Sequence, residues 1–227
     1  MISWPARRCR EPPLKPGENN RLPLMKLQFG TGDVRILDED DVYRGHYGVR
    51  RLTLQHRTFR GDWSAPLSRE VFERGDAVGV LLWDPLRDEL VMLEQFRVGA
   101  MRGENCPWML ELVAGVVEPG ESDEDVARRE SLEEADMRVL DLVPVARFFP
   151  SPGACTEQVR LFVGRVESAS AGGVHGCEDE DEDILVHRLP RSQVMELLDA
   201  GAINNGHTLI TLQWLRMNGD ALRQRWT

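Results

Sequence analysis

The segment "GVVEPGESDEDVARRESLEEADMRV", residues 115–139, constrains the fold more than any other stretch of the chain. It opens on glycine, passes through the loop "EPGES", and then reads as a helix from about residue 123 to 136. Ser122 is the expected N-cap, with acidic residues in the first turn where the helix dipole favours them. Each helical residue advances by about 100°, so Glu133 falls about 60° to one side of Glu130 and Glu134 about 40° to the other. Three carboxylates therefore share one face, while Leu132 and Ala135 point away from it. Like charges at this spacing weaken a helix by roughly 0.2–0.5 kcal/mol per pair. Divalent cations turn such a cluster into an oxygen-rich site, and Mg²⁺ takes a few carboxylates together with substrate phosphates. Such a site can clamp a diphosphate and activate water for in-line attack. Taken alone, the three glutamates fit a solvated acidic helix face better than a metal site.

The flanking sequence supplies a sheet. "DVRILDEDDVYRGHYGVRRLTLQHRTF" alternates apolar and polar residues around a turn at "YRG" and reads as antiparallel strands. "RGDWSAPLS" breaks the pattern, placing a domain boundary near Pro66. Residues 77–83 and 90–95 form a hairpin across "DPLRD", and "WMLELVAG" reads as one further apolar strand. After the acidic helix come strand-like runs at 139–148, 159–166 and 184–187, then helices at 191–200 and about 206–217. Strands and helices interleave without regular βαβ spacing, so the class is α+β, a mixed three-layer fold. The expected organisation is a disordered tail at 1–24, an N-terminal β domain at 25–66 and a larger domain at 67–227. Met25, just ahead of the first patterned segment, is a candidate start residue.

Charge and cysteine usage narrow the function classes. The formal net charge of -10 opposes binding to a nucleic-acid backbone. It leaves nucleotide substrates open, because a bound cation bridges two anions. Cys9, Cys106, Cys155 and Cys177 are scattered, without a C-x-x-C pair, which suits a reducing cytosol better than a disulfide framework or a zinc site. No H-E-x-x-H pattern occurs, and no apolar run approaches the roughly 18 residues of a membrane span. The N-terminus lacks the apolar stretch of a signal peptide, so a cytoplasmic location without membrane contact is expected.

The longer spacing separates the two readings of the acidic helix. Gly115, Glu121, Arg129, Glu130, Glu133 and Glu134 stand in register with G-x5-E-x7-R-E-U-x-E-E-x-G-U, where U is bulky and apolar, and Met137 fills the last U. The segment thus resembles the Nudix box. Ser131 replaces the first U, and Asp136 stands where the box has glycine. That glycine ends the helix at positive φ, a conformation aspartate tolerates better than most residues. "YRGHYGVRRLTL", "SREVFERGDAVGVLLWDPLRDELVMLEQFRVGA", "SPGACTE", "GVHGCEDEDEDI" and "LQWL" are similar to the bacterial ADP-ribose pyrophosphatase branch of that family.

The resemblance implies a Nudix α/β/α sandwich with a mixed sheet and a small antiparallel N-terminal domain exchanged within a homodimer. It implies hydrolysis of ADP-ribose to AMP and ribose 5-phosphate with Mg²⁺, or with Mn²⁺ as the alternative ion. It makes Glu130, Glu134 and the Ala114 carbonyl metal ligands, with Glu133 a ligand or its neighbour, and has Glu121 pair with Arg129. In the acidic loop "CEDEDEDIL", Glu180 matches the general base and Glu182 a further carboxylate near the metals. Arg69 and Arg97 match arginines that contact phosphates and ribose, a task suited to the planar guanidinium fork. Glu157 matches a glutamate near the terminal ribose. His46, followed by Tyr47, aligns with a ring stacked on adenine. Two alternatives remain: a Nudix hydrolase of another nucleoside diphosphate sugar such as ADP-glucose, and a non-catalytic nucleotide sensor.

Overall fold

The computed structural model describes residues 27–102, 106–177 and 181–227, so the tail expected at 1–24 lies outside them. The chain divides into two compact units, Met1–Glu73 and Arg74–Thr227.

The N-terminal unit is a three-stranded antiparallel sheet in the order β1 (Val34–Arg44), β2 (Gly48–His56), β3 (Leu67–Glu73). The boundary expected near Pro66 falls instead after Glu73. The strand that follows Pro66 pairs with β2 from Leu54↔Leu67 to Gly48↔Glu73, so its backbone hydrogen bonds are made in the N-terminal sheet. A single layer leaves its apolar side chains in water: Ile36, Leu37, Val42 and Tyr43 of β1 are all exposed. Trp63 is covered by Arg35 and Arg57, whose guanidinium carbons lie 3.7 and 4.4 Å from its ring centroid.

The C-terminal unit contains strands β4 (Ala77–Asp84), β5 (Glu89–Phe96), β6 (Trp108–Glu111), β7 (Val113–Val116), β8 (Asp141–Phe148), β9 (Val159–Arg165), β10 (Gly173–His175) and β11 (Ile184–Pro190). Its helices are α1 (Asp123–Ala135), α2 (Arg191–Asp199) and α3 (Gly206–Trp226). The sheet runs β10-β11-β5-β4-β9-β8, with β4 and β9 parallel and the other pairs antiparallel, as the mixed-sheet reading requires. β4 and β5 pair only near their turn, from Leu82↔Val91 to Asp84↔Glu89, and then part. β6 pairs with β5 and β7 with β4 where those strands have separated. "WMLELVAG" is therefore two short strands rather than the one expected. The break is at Leu112, whose amide donates to the Thr208 hydroxyl of α3 at 3.1 Å.

Strand alternation builds the two cores. Leu81 and Trp83 of β4 face Val194 and Leu198 of α2 and Leu212, Leu215 and Trp226 of α3. Val78, Val80 and Leu82 face Val126, Ala127 and Ala135 of α1. The result is an α/β/α sandwich, in which each large buried side chain contributes about 1.5–3 kcal/mol. α3 continues nine residues past the end expected near 217, because Leu222 and Trp226 extend its buried stripe and Trp226 packs at 5.9 Å against Trp83. That burial outweighs the roughly 1 kcal/mol cost of Gly219 inside the helix. Among the described residues no helix is long and apolar enough to cross a membrane.

The end of α1 shows how Asp136 serves at the box's glycine position. It adopts φ 50° and ψ 37°, and its amide and that of Met137 bond the Leu132 and Ser131 carbonyls at 3.0 and 2.9 Å. Met137 is thereby turned into the core. Ser131, fully buried, returns its hydroxyl to the Ala127 carbonyl at 2.6 Å. Removing the Cβ from a left-handed position relieves strain, offset in part by a freer unfolded chain. Asp136→Gly is expected to stabilise by roughly 0.5 kcal/mol, visible as a melting temperature raised by about 1–2 °C.

Candidate active site

The loop and first turns of α1 aim the acidic face. Ser122 caps the helix by accepting from the Asp125 amide at 3.2 Å. The Glu121 carboxylate accepts from the Glu118 amide at 3.1 Å, and Gly120 turns the loop at φ 98°. Arg129 then binds the loop to the helix. Its Nε and Nη2 donate to the two oxygens of Glu121 at 3.0 and 3.1 Å, and Nη1 donates to Glu130 at 2.8 Å and Glu133 at 2.9 Å. The bonds to Glu121 raise the guanidinium well above its ordinary range, and the same contact lowers the Glu121 carboxyl. Arg129 is thus a built-in countercharge for part of the acidic face.

Arg129 reaches Glu130 but is not among the partners of Glu134. Glu134 is 1% exposed and accepts from the Ala114 amide of β7 at 3.0 Å. Burial pushes its carboxyl up to about 8. Burial also pushes Glu130 up to about 7, against the pull of Arg129. The charges of Glu130 and Glu182 add to the rise at Glu134. Glu130 reaches β7 only because Gly115 has no side chain: a Cβ there would stand 1.7 Å from Glu130 Oε1. Glu182 sits just past Gly176, its carboxylate accepting from the Cys177 amide at 3.1 Å. Among the described residues no three acidic, histidine or cysteine side chains converge tightly enough to enclose a cation. The donor set of carboxylate oxygens fits Mg²⁺, which keeps several waters and uses few protein ligands. Glu180 lies outside the described residues.

Two further expected residues join this unit. Arg97, just after β5, donates from Nε to the buried Glu111 carboxylate at 2.8 Å. Its charge opposes the rise at Glu134. Glu157 is buried rather than a solvated loop carboxylate; burial raises its carboxyl, and Arg74 Nε lies 3.4 Å away. Arg69 on β3 and His46 and Tyr47 in the β1–β2 turn belong to the N-terminal unit. There, Arg69 is exposed and bonds the Ser68 carbonyl at 2.8 Å. The His46 and Tyr47 rings meet edge-on at 4.5 Å, and Tyr47 meets Phe72 at 5.3 Å.

The NUDIX domain profile matches residues 73–209, a span that contains the whole acidic helix and its loop. The chain belongs to the Nudix family. The chain is 43% identical over 202 residues to the ADP-ribose pyrophosphatase of Escherichia coli (strain K12), covering 89% of this chain and 97% of that protein. It is 41% identical over 201 residues to the ADP-ribose pyrophosphatase of Haemophilus influenzae, covering 87% and 93%. A GDP-mannose pyrophosphatase of Enterobacter sp. (strain 638) is 31% identical over 185 residues, covering 80% and 94%. Among solved structures, one described as an ADP compounds hydrolase shares the fold with a TM-score of 0.61 at 22% identity, covering 82% of this chain and 96% of that one.

Within this Nudix chain, sequence reading missed Glu111, Asn205 and Arg74. Glu111 carried a signal, a lone charge inside an otherwise apolar strand segment. Asn205 carried the ordinary mark of a helix N-cap, and its side chain accepts from the Thr208 amide at 3.1 Å. Its second bond, to Glu111 at 2.7 Å, spans 94 positions and had no local signature.

Proposed function

We propose that this Nudix protein is a Mg²⁺-dependent pyrophosphohydrolase that converts ADP-ribose to AMP and ribose 5-phosphate. The observation that carries the reading is the pair of carboxylates, Glu134 buried and Glu130 half-buried, brought against Ala114 and Gly115 by a complete set of charged box positions. The 41–43% identity to ADP-ribose pyrophosphatases over most of the chain supports the substrate. Glu130, Glu134, Glu182 and the Ala114 carbonyl would hold the ion. When bound, it would neutralise the diphosphate and lower the pKa of water. Water adds to one phosphorus, the bridging P–O bond breaks, and a carboxylate of the acidic loop takes the proton. We assign that base to Glu180, with Glu182 as the second choice, because closure of a loop can bring such a group within hydrogen-bond reach. Glu133 and Glu121 act with Arg129, which keeps the acidic face and its loop in one arrangement. Arg97 and Arg69 take the phosphates and Glu157 the terminal ribose. His46 and Tyr47 supply the adenine platform.

The exposed apolar residues of β1 support a homodimer, since a sheet of so few strands gains stability by covering that face. A cytoplasmic location completes the reading. The 31% identity to a GDP-mannose pyrophosphatase favours one competing substrate class, another nucleoside diphosphate sugar. A panel of ADP-ribose, ADP-glucose and GDP-mannose compared by kcat/KM with Mg²⁺ decides. ADP-ribose is expected to lead by about tenfold or more, a difference of about 1.4 kcal/mol. A clear preference for either sugar nucleotide overturns the assignment.

A further inference from the structure

We infer that Asn205 and Glu111 are positioning residues that hold Arg97 for the substrate diphosphate, an inference that rests on the reading of Arg97 as a phosphate contact. Arg97 is the half-exposed end of a buried line of hydrogen bonds. Its side chain is 40% exposed, whereas that of Glu111 is 4% exposed. Glu111 closes β6 and spends one oxygen on Arg97 Nε at 2.8 Å and the other on Asn205 Nδ2 at 2.7 Å. Asn205 Oδ1 accepts from the Thr208 amide at 3.1 Å and its hydroxyl at 3.2 Å, and that hydroxyl oxygen accepts from the Leu112 amide at 3.1 Å. The line therefore ends on rigid backbone, at the cap of α3 and at the break between β6 and β7.

The chemistry explains why asparagine stands here. A helix N-cap must present an acceptor to the backbone amide, so the cap fixes Oδ1 toward Thr208 and turns Nδ2 toward Glu111. Aspartate, serine and threonine also cap helices, but none of them can cap with one atom and donate from an adjacent amide nitrogen with another. Glu111 needs both partners because a buried carboxylate without hydrogen bonds is costly. Engagement through Nε orients the guanidinium and leaves its Nη1–Nη2 edge unused by Glu111, an edge with which a guanidinium can meet phosphate oxygens in pairs.

The test uses the full chain with ADP-ribose and Mg²⁺. Asn205→Ser keeps a capping acceptor but removes the donor to Glu111. It is expected to lower kcat/KM about 10- to 100-fold, as a misplacement of about 1 Å does, with a larger change in KM than in kcat if the diphosphate contact loosens in the ground state. The melting temperature is expected to hold within a few degrees. Arg97→Ala should lose at least as much, and adding Asn205→Ser to Arg97→Ala should cost less than about twofold more, because the two act through one contact. Glu111→Gln, which keeps the side-chain volume, provides a second entry to the same cycle if Asn205→Ser does not fold. Wild-type kinetics in both Asn205→Ser and Glu111→Gln, with Arg97→Ala impaired, overturn the inference. An undiminished Asn205→Ser effect in the Arg97→Ala background overturns it as well. Wild-type kinetics in Arg97→Ala instead overturn the reading of Arg97 itself.

Discussion

Glu130→Gln is expected to lower kcat/KM for ADP-ribose by roughly a thousandfold while leaving the metal-free protein at least as stable as the wild type. Glutamine keeps the length and volume of the side chain and removes only its charge. The charge is what a divalent cation requires, and one ligand's share of several kcal/mol of transition-state stabilisation corresponds to factors of about 10² to 10⁴. Stability moves the other way because burial holds the Glu130 carboxyl up at about 7, with Glu133 and Glu182 adding to the rise. A neutral amide escapes those costs, and the loss of its contact to Arg129 is shared by Glu121 and Glu133. Release of AMP under saturating Mg²⁺ and melting curves with chelator read the two effects separately. Unchanged AMP release would show that Glu130 is no ligand. The wild type should carry a matching pH signature. Mg²⁺ binds the ionised form, so its apparent affinity falls as pH drops through about 8 and about 7, where Glu134 and Glu130 take up protons without the ion.

Gly115→Ala is the second large effect. The added methyl would lie 1.7 Å from Glu130 Oε1 and 2.4 Å from its Cγ, so more than the tip of that side chain must move. β7 cannot withdraw easily, because it is hydrogen-bonded to β4 through Val78↔Gly115 and Gly79↔Ala114, and Ala114 also bonds Glu134. Glu130 must therefore leave its rotamer and its place beside β7. Activity should fall about 100-fold or more, whereas overpacking of this kind costs about 1–3 kcal/mol of stability. Kinetics and thermal melting on the same preparation separate the two. A fully active Gly115→Ala protein would mean that Glu130 works from a position other than the one beside Gly115.

The acidic helix was legible in the chain because everything that defines it is local. Helical periodicity places Glu130, Glu133 and Glu134 together, Ser122 caps, and Arg129 finds Glu121 eight positions earlier. The central hairpin was legible for the same reason: the turn at "DPLRD" joins strands whose apolar runs are long and uninterrupted. Even the departure from the box pattern at Asp136 could be anticipated, since the required backbone conformation and the residues that tolerate it are properties of single positions.

What lay beyond local pattern was decided by packing. Whether residues 67–73 complete the first sheet or open the second depends on which neighbour accepts their hydrogen bonds. Whether "WMLELVAG" is one strand or two depends on how far β4 and β5 separate and on a hydroxyl of α3 at Leu112. The end of α3 depends on the room Trp226 finds against Trp83. The Arg97–Glu111–Asn205 line joins positions 14 and 94 residues apart, and such pairs form only after distant segments have closed on one another. The sequence alone determined which carboxylates face one way on α1 and how that helix begins and ends, because i, i+3 and i+4 geometry is intrinsic to the backbone. Only the tertiary structure decided what stands opposite them and what holds the arginine beside them, because long-range partners are chosen by burial and by the need to pair every buried polar group.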